Sequence, residues 1–160
     1  MILNRQRRVP VATAPLADFL ERIRCELRFP ENGVAVRLVS DATMARLNHG
    51  FRGKAGPTDV LSFPASGTRP RVAKSRRSRP NAAHGSNGSQ SLEGYVGDIA
   101  IAPETARRNA RLYSRTLREE LRILILHGMI HLAGYDHESD GGEMNRLERK
   151  LRTQFGLKTI

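Results

Sequence analysis

Alternating apolar and polar positions predict four short strands in this chain. Residues 34–39 alternate as in a half-buried strand, and residues 2–9 alternate more loosely, as in an edge strand. Two further apolar runs rich in β-formers, 58–63 and 95–101, flank a polar stretch, and we expect them to pair with each other as a hairpin. The four runs together predict a small sheet.

Apolar residues spaced three and four apart predict about five helices, each with a start signal. The signals are Pro15, Ser40-Asp41, Pro103, Thr116 with Glu119, and Asp140 with Glu143. The second helix is expected to break near Gly50. Because strands and helices do not alternate strictly, the pattern favours an α+β fold, in which a small mixed four-stranded sheet is packed with about five helices.

The chain of 160 residues is long enough for one domain with a substantial core. Residues 65–91 differ from the rest, because Ser, Gly, Asn, Pro and cationic residues dominate and aliphatic residues are scarce. Such a segment buries too little apolar surface to offset the entropy lost on ordering. We interpret residues 1–160 as a single domain with a flexible basic insertion at 65–91.

Composition and charge restrict the compartment and the partners. A lone cysteine, Cys25, excludes an intramolecular disulfide and favours a reducing cytoplasm. No apolar run approaches the ~20 residues of a membrane span, so no membrane partner is expected. The net charge of +11 indicates a polyanionic partner, of which nucleic acid is the commonest in a cytoplasm. No heptad pattern indicates an oligomer, so a monomer is favoured.

Three of the five histidines lie between residues 127 and 137. His127 and His131 share one face of a helix, with Cβ atoms ~5–6 Å apart, which allows both rings to reach one ion. Gly134 is suited to end this helix and turn the chain, which would return His137 as a third ligand. Three nitrogen ligands leave a position for water, as in catalytic zinc sites.

This spacing matches the metzincin pattern H-E-x-x-H-x-x-G-x-x-H at the three histidines and the glycine. Gly128 stands where a metzincin carries its catalytic glutamate, so the general base of peptide hydrolysis is missing. A metal site without peptidase activity is therefore favoured over a metzincin-like peptidase and over three unrelated histidines.

Four segments in the same order make the sequence similar to the YbeY family of bacterial metal-dependent endoribonucleases, which act as rRNA maturation factors. The segments are residues 47–53, 57–64, 97–101 and 127–137. Two departures stand beside them. Ala55-Gly56 replaces a usually acidic position, and the 65–91 insertion is longer and more basic than the family norm.

The resemblance implies an α+β fold with a central metal-binding helix and one zinc ion per chain on His127, His131 and His137. It also implies Arg52 as the catalytic or RNA-contacting arginine. The activity implied is hydrolysis of single-stranded RNA, in maturation of the 3′ end of 16S rRNA and in ribosome quality control. The implied partners are rRNA and the small ribosomal subunit.

Several other residues are candidates for supporting roles. Asp98 and Asp136 are candidates for orienting a ligand histidine, with an ordinary turn or capping role as the alternative. Arginines on the outer face of the third helix are candidates for RNA contacts: Arg107, Arg108 and Arg111. With no glutamate at position 128, the base remains open between water activated by the metal and the 2′-hydroxyl of the substrate. A metal-stabilised assembly factor that binds RNA without cleaving it is the main alternative function.

Overall fold

The computed structural model describes residues 1–65, 94–136 and 140–158. In chain order the elements are β1 (Ile2–Asn4), α1 (Ala14–Glu26), β2 (Val34–Leu38), α2 (Asp41–Arg52), β3 (Val60–Pro64), β4 (Gly97–Ile101), α3 (Pro103–Leu112), α4 (Leu117–Leu132) and α5 (Glu143–Gln154). The mixed α+β architecture, with a four-stranded sheet and five helices, is the one predicted. From residue 66 onward, the insertion predicted at 65–91 lies outside the described residues.

The sheet has the strand order β1-β2-β4-β3. β1, β2 and β4 run parallel, and β3 runs antiparallel to β4, with Val60 opposite Ile101 and Pro64 opposite Gly97. The pairing of the two runs that flank the insertion is therefore confirmed. β1 lies at one edge, as its loose alternation predicted, and β3 lies at the other.

Strand alternation gives the sheet two different faces. Val36, Leu38 and Ile99 belong to the main core, which also contains buried residues of α1, α4 and α5. The residues between them face the other way, where Leu61 and Ala100 form a smaller cluster with α2. α2 and α4 therefore cover opposite faces of the sheet.

α4 is the central helix of the described structure. It packs against α1, α3, α5, β3 and β4, and ten of its residues are buried. Its first turn is capped by the hydroxyl of Thr116, which accepts a hydrogen bond from the backbone N–H of Glu119 at 3.2 Å. A helix enclosed on nearly all sides holds its side chains in fixed positions, which is what a metal site requires.

The second helix is longer than its sequence indicated. We expected a break near Gly50, but α2 continues to Arg52 and ends at Gly53, whose φ of 65° is the left-handed conformation of a C-terminal cap. Gly50 lies within the helix, where it is exposed and nothing lies within 4 Å of its missing Cβ. The extra turn sets Arg52 on a helix end rather than in a loop.

No helix among the described residues combines the length and the apolar character needed to cross a membrane.

Candidate metal centre

His127 and His131 converge near the end of α4. Their ring centroids are 4.7 Å apart, with the ring planes inclined by 78°. The two Nε2 atoms are 3.1 Å apart, and both rings are partly buried. The i, i+4 spacing thus brings these two nitrogens to one point, as predicted.

Each ring is oriented by a partner on its other nitrogen. Nδ1 of His127 lies 3.1 Å from Oε2 of Glu148, and Nδ1 of His131 lies 3.0 Å from the carbonyl oxygen of Tyr135. A carboxylate and a carbonyl oxygen only accept hydrogen bonds, so Nδ1 is the donor in both rings. In the neutral imidazoles the lone pairs are therefore on the two Nε2 atoms that face each other.

Glu148 is a buried carboxylate on α5, with 7% of its surface exposed. Burial alone raises the pKa of this group. The hydrogen bond from His127, the charge that this ring carries when it is protonated, and the charge and hydrogen bond of Arg152 outweigh burial and lower the pKa of Glu148 to about 2. Glu148 is therefore ionised across the physiological range of pH and is held as a hydrogen-bond acceptor for His127.

The donor set fits a zinc ion as far as it is described. Two nitrogen ligands at ~2.0–2.1 Å from a tetrahedral zinc lie ~3.3 Å from each other, close to the Nε2 separation of 3.1 Å. Nδ1 hydrogen bonds to a carboxylate and a carbonyl are the usual supports of zinc-binding histidines. Within residues 1–65, 94–136 and 140–158 no group of three or more possible ligand side chains is found, and the third predicted ligand, His137, lies outside these ranges.

The chain turns directly after the two histidines. Gly134 has φ of 91°, and its N–H donates to the carbonyl of His131 at 2.9 Å. The same turn brings the Tyr135 carbonyl back to the ring of His131. The predicted turn at Gly134 is thus present and also supplies one of the two groups that orient the histidines.

Gly128 is a glycine because α4 lies directly on the sheet. A Cβ at this position would be 2.9, 3.0 and 3.2 Å from three side-chain carbons of Ile99 in β4. The carbonyl of Gly128 also accepts a hydrogen bond from the hydroxyl of Ser62 in β3, at 3.3 Å. The close packing of α4 on the sheet therefore leaves no room for a side chain at the position where metzincins carry the glutamate.

Arg52 is the last residue of α2, on the helix that covers the opposite face of the sheet from α4. Among the described residues Arg52 has no hydrogen-bond or ion-pair partner, and its side chain is exposed. The neighbouring Phe51 packs edge-on against Phe63 of the edge strand β3, with the ring centroids 4.7 Å apart. No described contact links Arg52 to the two histidines.

Asp98 has partners other than the two described histidines. It points away from α4, because its neighbours Gly97 and Ile99 both face that helix. Its Oδ1 lies 3.5 Å from Nε of Arg37, and burial together with a hydrogen bond to Asp98 raises the pKa of Tyr95 to about 12. The acceptors on His127 and His131 are instead Glu148 and the Tyr135 carbonyl.

The other predicted site residues have different positions. Arg108 donates to Asp41 at 2.7 Å and so ties α3 to α2, although its side chain is more than half exposed. Arg107 and Arg111 are exposed on α3. The backbone carbonyl of Asp136 accepts from the N–H of Asp140 at 3.1 Å. Roles for these residues in RNA binding or histidine orientation stay predictions.

Glu148 is a site residue that the sequence motifs did not predict, although the sequence carries a signal for it. On α5 it stands four residues after Met144 and three before Leu151, both of which are buried in the core. A charged residue on the apolar stripe of a helix needs a buried partner. The sequence does not show that this partner is His127, 21 residues earlier.

Comparison with known proteins supports one family. The family model for endoribonuclease YbeY matches residues 2–156. Proteins named endoribonuclease YbeY from Koribacter versatilis and Geobacter metallireducens are 38% and 33% identical over 157 residues, which is 98% of this chain and 86% and 93% of theirs. A solution structure from Thermotoga maritima has a TM-score of 0.56 at 26% identity and covers 98% of this chain and 90% of that one. The chain therefore belongs to the YbeY family.

Proposed function

We propose that the protein is a zinc-dependent endoribonuclease that cleaves single-stranded RNA. The observation that carries the proposal is the convergence of the His127 and His131 Nε2 atoms, 3.1 Å apart, with each Nδ1 hydrogen-bonded to an acceptor. Membership of a family whose model is described as endoribonuclease YbeY supplies the reaction class. The net charge of +11 suits a polyanionic substrate.

The residues divide into two groups by task. His127, His131 and His137 would hold the ion, which when bound lowers the pKa of a water molecule or polarises a phosphoryl oxygen. Arg52 would bind the substrate phosphate through paired N–H donors and stabilise the charge that develops in the transition state. Because residue 128 has no side chain, it supplies no general base, and the candidate nucleophiles are a water molecule and the 2′-hydroxyl of the RNA.

The resemblance of the sequence to the family implies single-stranded RNA as the substrate. We therefore propose single-strand specificity, with rRNA near the 3′ end of 16S rRNA as the substrate and the small ribosomal subunit as the cytoplasmic partner, in rRNA maturation and ribosome quality control.

Replacing Arg52 by alanine should lower kcat/KM for a single-stranded RNA by ~100–1,000-fold, because one donor to developing charge is worth about that factor. Zinc content should not change, since no described contact joins Arg52 to the histidines. Arg46→Ala on the same helix is the matched control, and it removes an exposed arginine that is hydrogen-bonded to Thr43. Equal cleavage by the Arg52 and Arg46 variants would contradict the role of Arg52.

Phe51 offers a stacking surface for a base beside Arg52. It is one of four large apolar side chains that are well exposed in the described structure, with 55% of its surface accessible. The contact with Phe63 fixes the orientation of the ring. Exposed aromatic rings next to cationic groups bind unpaired bases by stacking, and they discriminate against duplexes whose bases are already stacked.

Phe51→Ala should weaken the binding of a short single-stranded RNA by ~1–3 kcal/mol, the range found for one base–aromatic stack. Phe51→Tyr should bind like the wild type, because it keeps the ring. Fluorescence anisotropy with a labelled oligonucleotide measures both. If the alanine variant bound as tightly as the tyrosine variant, the ring would have no part in binding.

A non-catalytic assembly factor makes a different prediction from the same residues. Such a factor would need zinc to fold and would bind rRNA or ribosomes. Its binding would be unchanged by Arg52→Ala, and it would not cleave RNA at any protein concentration. Incubating the purified, zinc-loaded protein with a single-stranded RNA oligonucleotide separates the two functions. If the zinc-loaded protein cleaves the RNA and the chelator-treated protein does not, the ribonuclease function is supported. If neither protein cleaves the RNA, the assembly factor is supported.

A further inference from the structure

A partly buried chain of polar contacts runs from α5 into the candidate metal centre. Nε and Nη2 of Arg152 both donate to Oε1 of Glu148, at 3.0 and 2.5 Å, and Oε2 of Glu148 accepts from Nδ1 of His127 at 3.1 Å. We propose that Glu148 is a positioning residue that fixes the tautomer of His127 and strengthens it as a metal ligand, with Arg152 holding the carboxylate in place. This inference rests on the zinc site proposed above.

The carboxylate of Glu148 is fixed because each of its two oxygens has a different partner. Oε1 is occupied by Arg152 and Oε2 by His127, so the group cannot rotate without breaking one interaction. Glu148 is 7% exposed, and the side chain of Arg152 is 12% exposed, which limits competition from water. The acceptor presented to His127 therefore keeps a constant orientation.

The two described ligands differ in the strength of this support. His131 donates to a neutral backbone carbonyl, whereas His127 donates to a carboxylate. A hydrogen bond to an ionised acceptor is roughly twice as strong as a neutral one and shifts more electron density to the opposite ring nitrogen. His127 is consequently expected to be the stronger electron-pair donor to the metal, and its described support comes from a side chain that mutation can change.

Glu148 also connects α5 to α4, so a purely structural role must be distinguished from ligand positioning. Glu148→Gln preserves the size of the side chain and can keep an oxygen towards Arg152. Its amide NH2 group then faces His127 and makes Nδ1 the acceptor, which moves the ring proton to Nε2, the proposed ligating atom. A residue that only joined two helices would not control the position of that proton.

The test compares Glu148→Gln with Glu143→Gln, which removes the same charge from an exposed position of the same helix. Zinc affinity is measured by competition with a chromophoric chelator, and thermal unfolding of the metal-free proteins shows that both are folded. Glu148→Gln should bind zinc ~10–100-fold more weakly than the wild type, and Glu143→Gln should bind it like the wild type. Equal zinc affinities of the two variants would overturn the inference and leave the zinc site itself standing.

A second measurement needs no variant and covers the case in which Glu148→Gln does not fold. Long-range ¹H–¹⁵N spectra of the metal-free wild-type protein report which nitrogen of neutral His127 carries the proton. A proton on Nδ1 is expected, and a majority of the Nε2–H form would overturn the inference. If the wild-type protein bound no zinc at all, both the metal site and this inference would fail, whereas loss of RNA cleavage alone would affect only the proposed function.

Discussion

Replacing His127 by alanine should abolish zinc binding and RNA cleavage together. The substitution removes one of three proposed ligands and also leaves the buried Glu148 without the ring to which it is bonded. We expect zinc affinity to fall by at least ~100-fold, since loss of a ligand costs more than the 10–100-fold loss of an outer partner. His131→Ala and His137→Ala should behave alike. Zinc content by mass spectrometry and cleavage of a single-stranded RNA are the two measurements.

His49→Ala is the matched control for the metal content of these variants. His49 is an exposed histidine on α2, the helix on the other face of the sheet. The His49→Ala protein should retain one zinc ion per chain. The ribonuclease account would be contradicted by a His127 variant that lost its zinc and still cleaved RNA at the wild-type rate. The proposed set of three ligands would be contradicted if His137→Ala kept full zinc affinity.

Gly128→Glu would restore the metzincin pattern, and it should destabilise the protein rather than create a peptidase. The new Cβ alone would overlap side-chain carbons of Ile99 at 2.9–3.2 Å, so α4 would have to move away from β4. Overpacking costs ~1–3 kcal/mol and an unpaired buried charge ~3–5 kcal/mol, so we expect unfolding free energy to fall by at least ~3 kcal/mol. Denaturant unfolding measures this change.

Gly50→Glu is the control for this substitution. It introduces the same residue at an exposed position of α2 where a Cβ meets nothing within 4 Å. We expect it to be neutral or slightly stabilising, because glycine inside a helix costs ~0.5–1 kcal/mol relative to alanine. If Gly128→Glu were as stable as the wild type, or cleaved a protein substrate, packing against Ile99 would not explain the glycine.

Local patterns in the sequence predicted most of the fold. The alternation in residues 34–39 and the apolar runs flanking the insertion predicted β2 and the β3–β4 pairing. Thr116 predicted the start of α4. These features depend on neighbours within a few residues, which a single sequence displays. The strand order β1-β2-β4-β3 was not predicted, because it depends on which strands meet after the chain has passed through helices.

The site shows the same division. The spacing of His127 and His131 fixed their common face, and the structure confirms that their Nε2 atoms meet. Glu148 was missed because the packing of α5 on α4, rather than any local spacing, brings it to His127. Asp98 was proposed as a histidine partner from its position beside Gly97, yet alternation along β4 turns it to the face opposite α4, where it meets Arg37.

Titrating zinc into the metal-free protein while following cleavage of a single-stranded RNA shows whether cleavage depends on an ion held by the converging histidines. Cleavage should be absent at the start, should rise with added zinc, and should saturate at one ion per chain. The His127→Ala protein should stay inactive throughout the same titration. Full cleavage by the metal-free wild-type protein would show that the converging histidines do not hold the ion on which the reaction depends, and the account would be wrong.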